Sequence, residues 1–248
     1  MTLYAIKPRF QAVLRRLAGW LARGGVSADA LTAVGLGCAA AVGLLLALGG
    51  RTGWLWLAPP LIFARIACNA LDGMVARLAG TARPWGTVLN EAGDRLADLL
   101  CFGGLALSGA LPGVVAGTVP ALVLFVSYLG VIGQTAGGAR RYEGPLGKAD
   151  RMLVLALYCL AAPFTALAGP VAGGVLVAGL ALTVLNRLRA TADEQSAICR
   201  QPSAIGHQRG PAAEAAPEDG SAATKPAGAG SPPSTYAAIG RPDSMPNA

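Results

Sequence analysis

The sequence predicts an all-α integral membrane protein: six transmembrane helices preceded by an amphipathic helix lying in the membrane interface. Three observations point there. Of the 248 residues 54% are hydrophobic and only 13% charged, about half the charge of an ordinary soluble domain, and the mean hydropathy is +0.52. The Leu, Val and Ala runs last long enough to cross a bilayer. The formal charge of +7 comes mainly from Arg and Lys beside apolar segments, the pattern of a protein anchored at a cytoplasmic face. No basic stripe with interleaved aromatics is present, so nucleic acid is not an expected partner; the lipid bilayer is.

Taken in order, residues 3–23 carry Phe10, Val13, Leu14, Leu17 and Leu21 at helical spacing, with Lys7, Arg9, Arg15, Arg16 and Arg23 around them. This reads as an interfacial helix; packing on the protein itself is the other reading, and the two are compatible. Asp29 reads as an N-cap and residues 30–48 as the first span. After a turn at residues 49–53, the second span starts at Trp54 and runs to about Leu78, its last third polar on one side. The third covers about Trp85 to Ser108, the fourth Val114 to about Ala139, the fifth about Ala149 to Ala162 and the sixth about Val171 to Leu188. With the N-terminus inside, the inner segments hold nearly all the Lys and Arg while the outer turns hold Arg51 alone, which puts both termini in the cytoplasm. Residues 1–194 are expected to form the membrane domain. Residues 195–248, rich in Ala, Pro, Gly, Ser and Glu, cannot bury enough apolar area to offset ordering entropy and are expected to be a disordered cytoplasmic tail.

The cysteines match no zinc spacing and mostly lie in apolar segments, where they read as small buried hydrophobes. The only histidine, His207, lies in the expected tail, which excludes His-based triads and ordinary zinc hydrolase sites from the membrane domain. The informative residues are the ionisable ones inside the spans, which are costly unless paired, hydrated or bound to an ion. Asp72 and Arg77 end the second span; Glu91, Asp94, Arg95 and Asp98 lie in the third. Asn69 and Asp72 share one helix face. Asn90, Asp94 and Asp98, four apart, stack along a face of the next helix with Glu91 at its edge. A short loop makes these helices antiparallel neighbours, so two oxygen-rich faces meet near the cytoplasmic side. Carboxylate and amide oxygens suit Mg²⁺ or Mn²⁺. Gly73 and Gly86 leave room for a ligand or for close helix approach, and Arg77 can pair with phosphate. A divalent ion beside an arginine is the equipment of phosphoryl-group transfer.

The run Asn69-x2-Asp72-Gly73-x2-Ala76-Arg77-x8-Gly86-x3-Asn90-x3-Asp94 resembles the signature of the CDP-alcohol phosphatidyltransferases, D-x2-D-G-x2-A-R-x8-G-x3-D-x3-D. Every spacing matches; the glycines, the alanine, the arginine and two of the four aspartates match as well. The segment from Gly25 to Leu36 resembles the family's lead into its first span, with Asp29 where Asn is usual, and the resemblance extends over about residues 1–190. It implies transfer of a phosphatidyl group from CDP-diacylglycerol to a small alcohol acceptor with release of CMP, at the inner (cytoplasmic) membrane of a bacterium, and a homodimer. By position it implies that Asp72 and Asp94 bind Mg²⁺ or Mn²⁺, with Asp94 also acting as general base, and that Gly73, Ala76, Arg77 and Gly86 line the CDP cleft. Asn69 and Asn90 stand where the signature has its first and third aspartates, as in a variant bacterial subgroup of the family. An amide oxygen ligates a metal but brings no charge. Glu91 and Asp98 are therefore the expected compensating carboxylates, with Asp98 joining Asp94 and Asp72 in catalysis; a protein that binds a CDP-lipid without turning it over is the other reading. Arg140, Arg141 and Arg151 follow the fourth span, where family members that use phosphorylated polyols hold the acceptor phosphate. They are candidate ligands for glycerol phosphate or inositol phosphate. Arg65, seven residues before Asp72, either snorkels or points into the bundle, where Asp98 is a partner.

Overall fold

A computed structural model describes residues 7–49, 53–135 and 138–200, with side chains from Leu14 onward to Ala197 apart from residues 49 and 53. Among the described residues there are seven α-helices: α1 (Lys7–Arg23), α2 (Ala28–Gly49), α3 (Ala58–Leu78), α4 (Pro84–Leu107), α5 (Gly113–Thr135), α6 (Lys148–Ala161) and α7 (Ala168–Arg200), with a 3₁₀ turn at Gly53–Leu57 leading into α3. The expected turn at residues 50–52 and the chain beyond Arg200 lie outside the described residues. Helix α7 carries regular structure to Arg200, six residues past the start of the tail read from composition.

Local chemistry sets most of the boundaries. The Ser27 hydroxyl, not Asp29, caps α2, accepting from the Ala30 N–H at 3.1 Å; Asp29 sits in the first turn, where its charge suits the helix dipole. Prolines open α3 and α4 in their first turns, where no N–H is needed. Gly80, at φ +66°, reverses the chain between α3 and α4, a backbone conformation that side chains resist.

Among the described residues four helices are long and apolar enough to cross a membrane: Ala28–Leu48, Trp54–Leu78, Gly113–Thr135 and Ala168–Ala197. This corrects the expectation of six. Helix α4 carries Glu91, Asp94, Arg95 and Asp98 within its 24 residues. Helix α6 has only 14 residues, about 21 Å at 1.5 Å per residue, well short of a hydrocarbon core of about 30 Å. Both pack into the bundle and bring the polar groups there.

Helix α2 packs most extensively on α3 and α4, α5 packs on α7 and α4, and α6 lies against α3 and α7. The approach of α2 to α4 is set by two glycines: a Cβ on Gly43 would lie 2.3 Å from the Leu100 carbonyl oxygen, and one on Gly104 2.2 Å from that of Gly43. One core of buried Leu, Val, Ala and aromatic side chains runs through α2–α7. A second, smaller one joins Leu14 and Ala18 of α1 to Leu31, Leu71 and Val75. Helix α1 thus packs on its own protein, on the back of the α3 turn that carries Asp72, while Arg15, Arg16, Leu17 and Trp20 remain exposed, as an interfacial helix requires. The four described cysteines are unpaired, with Cys101 and Cys159 buried.

Candidate active site

Helices α3 and α4, both packed on α2, bring the signature residues together near the Gly80 turn. Asn69 and Asp72, one turn apart on α3, face Asn90 and Asp94, one turn apart on α4. The Asn69 amide donates to Asp94 Oδ1 at 2.8 Å and to Asn90 Oδ1 at 3.4 Å. The Asn90 amide donates to Asp72 Oδ2 at 2.7 Å. From α2, the Thr32 hydroxyl reaches the same Asp72 oxygen at 2.9 Å. The backbone N–H of Gly73 donates to Asp72 Oδ1. Asp72 and Asp94 are 3% and 8% exposed, so each depends on these partners to remain buried and charged.

Two hollows share this network. The smaller, of about 20 Å³, is lined by Thr32, Arg65, Asn69, Asp72, Asn90 and Asp94 among others; that is room for one water or small ion. The larger is a cleft of about 380 Å³, within the range of small-molecule sites. Gly73, Ala76, Arg77 and Gly86 all line it, as do Asn69, Asp72, Asn90, Glu91 and Arg140. A Cβ on Gly73 would sit 3.5 Å from the Arg77 guanidinium, so glycine there leaves the floor of the cleft open beneath the arginine. Asp29 and Arg83 form an exposed ion pair on the lining.

The remaining expected site residues take other positions. Asp98, one turn beyond Asp94, is 0% exposed and lines neither hollow. One of its oxygens accepts from Arg65 at 3.2 Å and the other from Arg151, whose guanidinium also donates to Ser127 at 3.0 Å. Glu91 reaches the cleft but pairs with Arg95 and with Arg140. Burial alone would lower the Arg140 guanidinium; its hydrogen bond to Glu91 and the charges of Glu91, Tyr142 and Asp94 together outweigh this and hold it above its usual value. Of the three arginines assigned to the acceptor, only Arg140 lines the cleft. Arg141 turns to Glu194 of α7 and to Glu143, and Arg151 is committed to Asp98. Among the described residues no three His, Cys, Asp or Glu side chains converge on a point that could hold a metal. The oxygens facing the small hollow come instead from two carboxylates, two amides and a hydroxyl, a hard donor set that fits a divalent ion with water completing its shell.

Two participants were not assigned to the site from the sequence. Thr32 lies in the second turn of α2, where nothing but the later fold points it at Asp72. Lys148 is the first residue of α6. Its ammonium donates to Asn69 Oδ1 at 2.7 Å and pairs with Asp94 Oδ1. Burial pushes this ammonium below its usual range, and Asp94 pulls it partly back. The preceding loop is held to α7, with Leu146 N–H donating to the Thr183 hydroxyl at 3.0 Å and Gly144, at φ +118°, against Thr183, and this fixes where α6 begins.

The cleft and its signature agree with what the chain is similar to. The profile of the CDP-alcohol phosphatidyltransferase family matches residues 26–185. The chain belongs to this family. It is 40% identical over 168 residues to the inner membrane protein YnbA of Escherichia coli, covering 65% of this chain and 80% of that one. It is 32% identical over 145 residues to the archaetidylinositol phosphate synthase of Aeropyrum pernix, covering 54% and 71%. Crystal structures of the Mycobacterium tuberculosis phosphatidylinositol phosphate synthase share the fold at 22% identity and a TM-score of 0.62, one with CDP-DAG bound (73% of this chain and 94% of that one) and one with manganese and citrate (72% and 88%). As a CDP-alcohol phosphatidyltransferase, the protein transfers a phosphatidyl group from CDP-diacylglycerol to a hydroxyl acceptor. The four helices long and apolar enough to cross a membrane, among the described residues, mark it as a multi-pass membrane protein.

Proposed function

We propose that the acceptor is a phosphorylated polyol, inositol phosphate or glycerol phosphate, and that the reaction runs with Mg²⁺ or Mn²⁺ at the cytoplasmic face. The observation that carries the acceptor reading is Arg140 in the lining of the cleft that also contains Asp72, Gly73 and Arg77. A guanidinium there suits a phosphate-bearing alcohol better than serine or a neutral alcohol. The names of the Aeropyrum and Mycobacterium relatives, both synthases of inositol phosphate lipids, support the same class. The excess of Lys and Arg on the cleft side supports the cytoplasmic orientation. A homodimer is proposed on the family resemblance alone, and mass measurement in nanodiscs reads it.

In this reading Asp72 and Asp94 hold the divalent ion together with the oxygens of Asn69 and Asn90. The bound ion supplies charge neutralisation of the CDP-lipid diphosphate. Arg77 binds the diphosphate from above Gly73, and Gly86 and Ala76 leave space for the nucleotide. Arg140 holds the acceptor phosphate and so aims its hydroxyl. Asp94 accepts the hydroxyl proton as the acceptor oxygen attacks the phosphorus that bears the diacylglycerol. The phosphoanhydride bond breaks, CMP leaves with the bonding electron pair, and the phosphatidyl group is now esterified to the polyol.

The test is CMP release by the purified protein with CDP-diacylglycerol, Mg²⁺ or Mn²⁺, and a panel of inositol phosphate, glycerol phosphate, inositol, glycerol and serine. Release with a phosphorylated polyol, abolished by EDTA, is the expected outcome. Release with a neutral alcohol or serine alone overturns the acceptor assignment. CDP-diacylglycerol binding without release for any acceptor identifies a lipid-binding protein instead.

A further inference from the structure

The two carboxylates that face the small hollow are neutralised differently. Asp72 is held only by neutral donors, the Thr32 hydroxyl, the Asn90 amide and the Gly73 N–H. Asp94 already has cations: the Lys148 ammonium on Oδ1 and the Arg65 guanidinium 3.8 Å from the same oxygen. Lys148 also takes the Asn69 carbonyl oxygen, so it occupies Asn69 Oδ1 and one of the two Asp94 oxygens. The hollow is only about 20 Å³, room for a single ion. Charge leads to the same result. Asn69 and Asn90 add no negative charge, Asp98 is spent on Arg65 and Arg151, and Glu91 on Arg95 and Arg140. Only Asp72 is left with a negative charge that no side-chain cation meets.

We propose that Lys148 is a tethered cation that fills the Asn69–Asp94 corner, so that this site takes one divalent ion, at Asp72. The inference rests on the divalent-ion reading above and narrows its ligand set: Lys148 replaces the ion at Asn69 Oδ1 and Asp94 Oδ1, and the ion stays at Asp72. Lys148 supplies, from the protein itself, a second positive charge beside the diphosphate, at a corner where two amides in place of acids could not hold a second free ion. It acts as a positioning group, keeping the Asp94 carboxylate fixed at the small hollow. The start of α6 is anchored for this through Thr183 and Gly144.

Mn²⁺ binding to the full chain in nanodiscs, followed by the loss of the free-ion paramagnetic resonance signal, tests this without any turnover. One Mn²⁺ per wild-type chain is expected. Lys148→Met, of similar length without the charge, should bind Mn²⁺ about tenfold or more tightly, because a unit charge within a few ångströms repels a divalent ion strongly even at an effective dielectric constant of about 20. Lys148→Arg, which keeps the charge, should stay within about threefold of the wild type. Lys148→Met combined with Asn69→Asp and Asn90→Asp should bind two. Two Mn²⁺ in the wild type, or an unchanged affinity in Lys148→Met, overturns the role of Lys148 and leaves the metal reading intact. No Mn²⁺ in any of the four proteins removes both.

Discussion

Asp94 and Asp98 are one helical turn apart on the same face of α4, and they end in opposite circumstances. Asp94 pairs with the Lys148 ammonium and faces a hollow shared with two amides and the Arg65 guanidinium, next to an open cleft. Asp98 is sealed between two guanidiniums that have come from α3 and α6, with Ser127 of α5 completing the set. The first has free oxygen capacity and access; the second has neither. A buried acid with two arginine partners ties helices together, and an acid beside a hollow is placed for the proposed chemistry. Depth along one helix face separates the two roles.

The largest effect expected is on turnover. Asp94→Asn keeps the shape and the hydrogen-bonding ability of the site but removes the base. CMP release should fall about 10³-fold, in the range for loss of a general base, while the thermal midpoint stays near that of the wild type. A fall in thermal midpoint equal to that of an Asp98 variant would erase the contrast between the two turns.

Asp98→Asn should do the reverse. Removing this charge leaves Arg151 buried with unmatched charge and Arg65 with Asp94 alone at 3.8 Å, and breaking such a group costs about 3–5 kcal/mol. Thermal unfolding in detergent should shift accordingly, while CMP release per folded molecule changes only a few-fold. Full stability with collapsed turnover would return Asp98 to the metal and catalytic set for which its i+4 spacing first nominated it.

That nomination shows what periodicity carries and what it does not. Spacing by three and four correctly collected Asn69 with Asp72 and Asn90 with Asp94, because a helical face is a local property of the chain. It could not tell how deep along the face the cleft ends, which depends on where α6 and its Arg151 arrive. Arg65 as a partner of Asp98 was readable, since a buried base needs an acid. Lys148 was not: it meets Asn69 across 79 positions, through a loop whose path depends on Thr183. The same limit explains the helix count. Long apolar runs identified the four spans, but the number rose to six because helix length and apolar content near α4 and α6 were read without weighing the four charges of the one and the shortness of the other.

Between the two turns, the packing of α4 on α2 holds their depth constant. Gly43→Ala would push a methyl into the Leu100 carbonyl, 2.3 Å away; the listener on the other side is backbone, which cannot swing aside. Overpacking of this kind costs about 1–3 kcal/mol. The expected outcome is a lower thermal midpoint together with a several-fold loss of CMP release, since α2 also carries Thr32 to Asp72. A stability loss with unchanged turnover would mean that the site tolerates a shift of α2.

The smallest effect belongs to the ion pair on the cleft lining. Arg83 and Asp29 contact each other as directly as Arg151 and Asp98 do, yet their side chains are 54% and 57% exposed against 2% and 0%. Water already solvates both exposed partners and salt screens them, so such a pair contributes about 0–1 kcal/mol. Arg83→Ala should leave the thermal midpoint nearly unchanged, and a double-mutant cycle with Asp29→Ala should give a coupling energy within that range, measurably smaller than the one between Arg151 and Asp98. Equal coupling in the two pairs would show that burial does not set the worth of ion pairs in this bundle, and the division between the structural and the chemical turn of α4 would then need another cause.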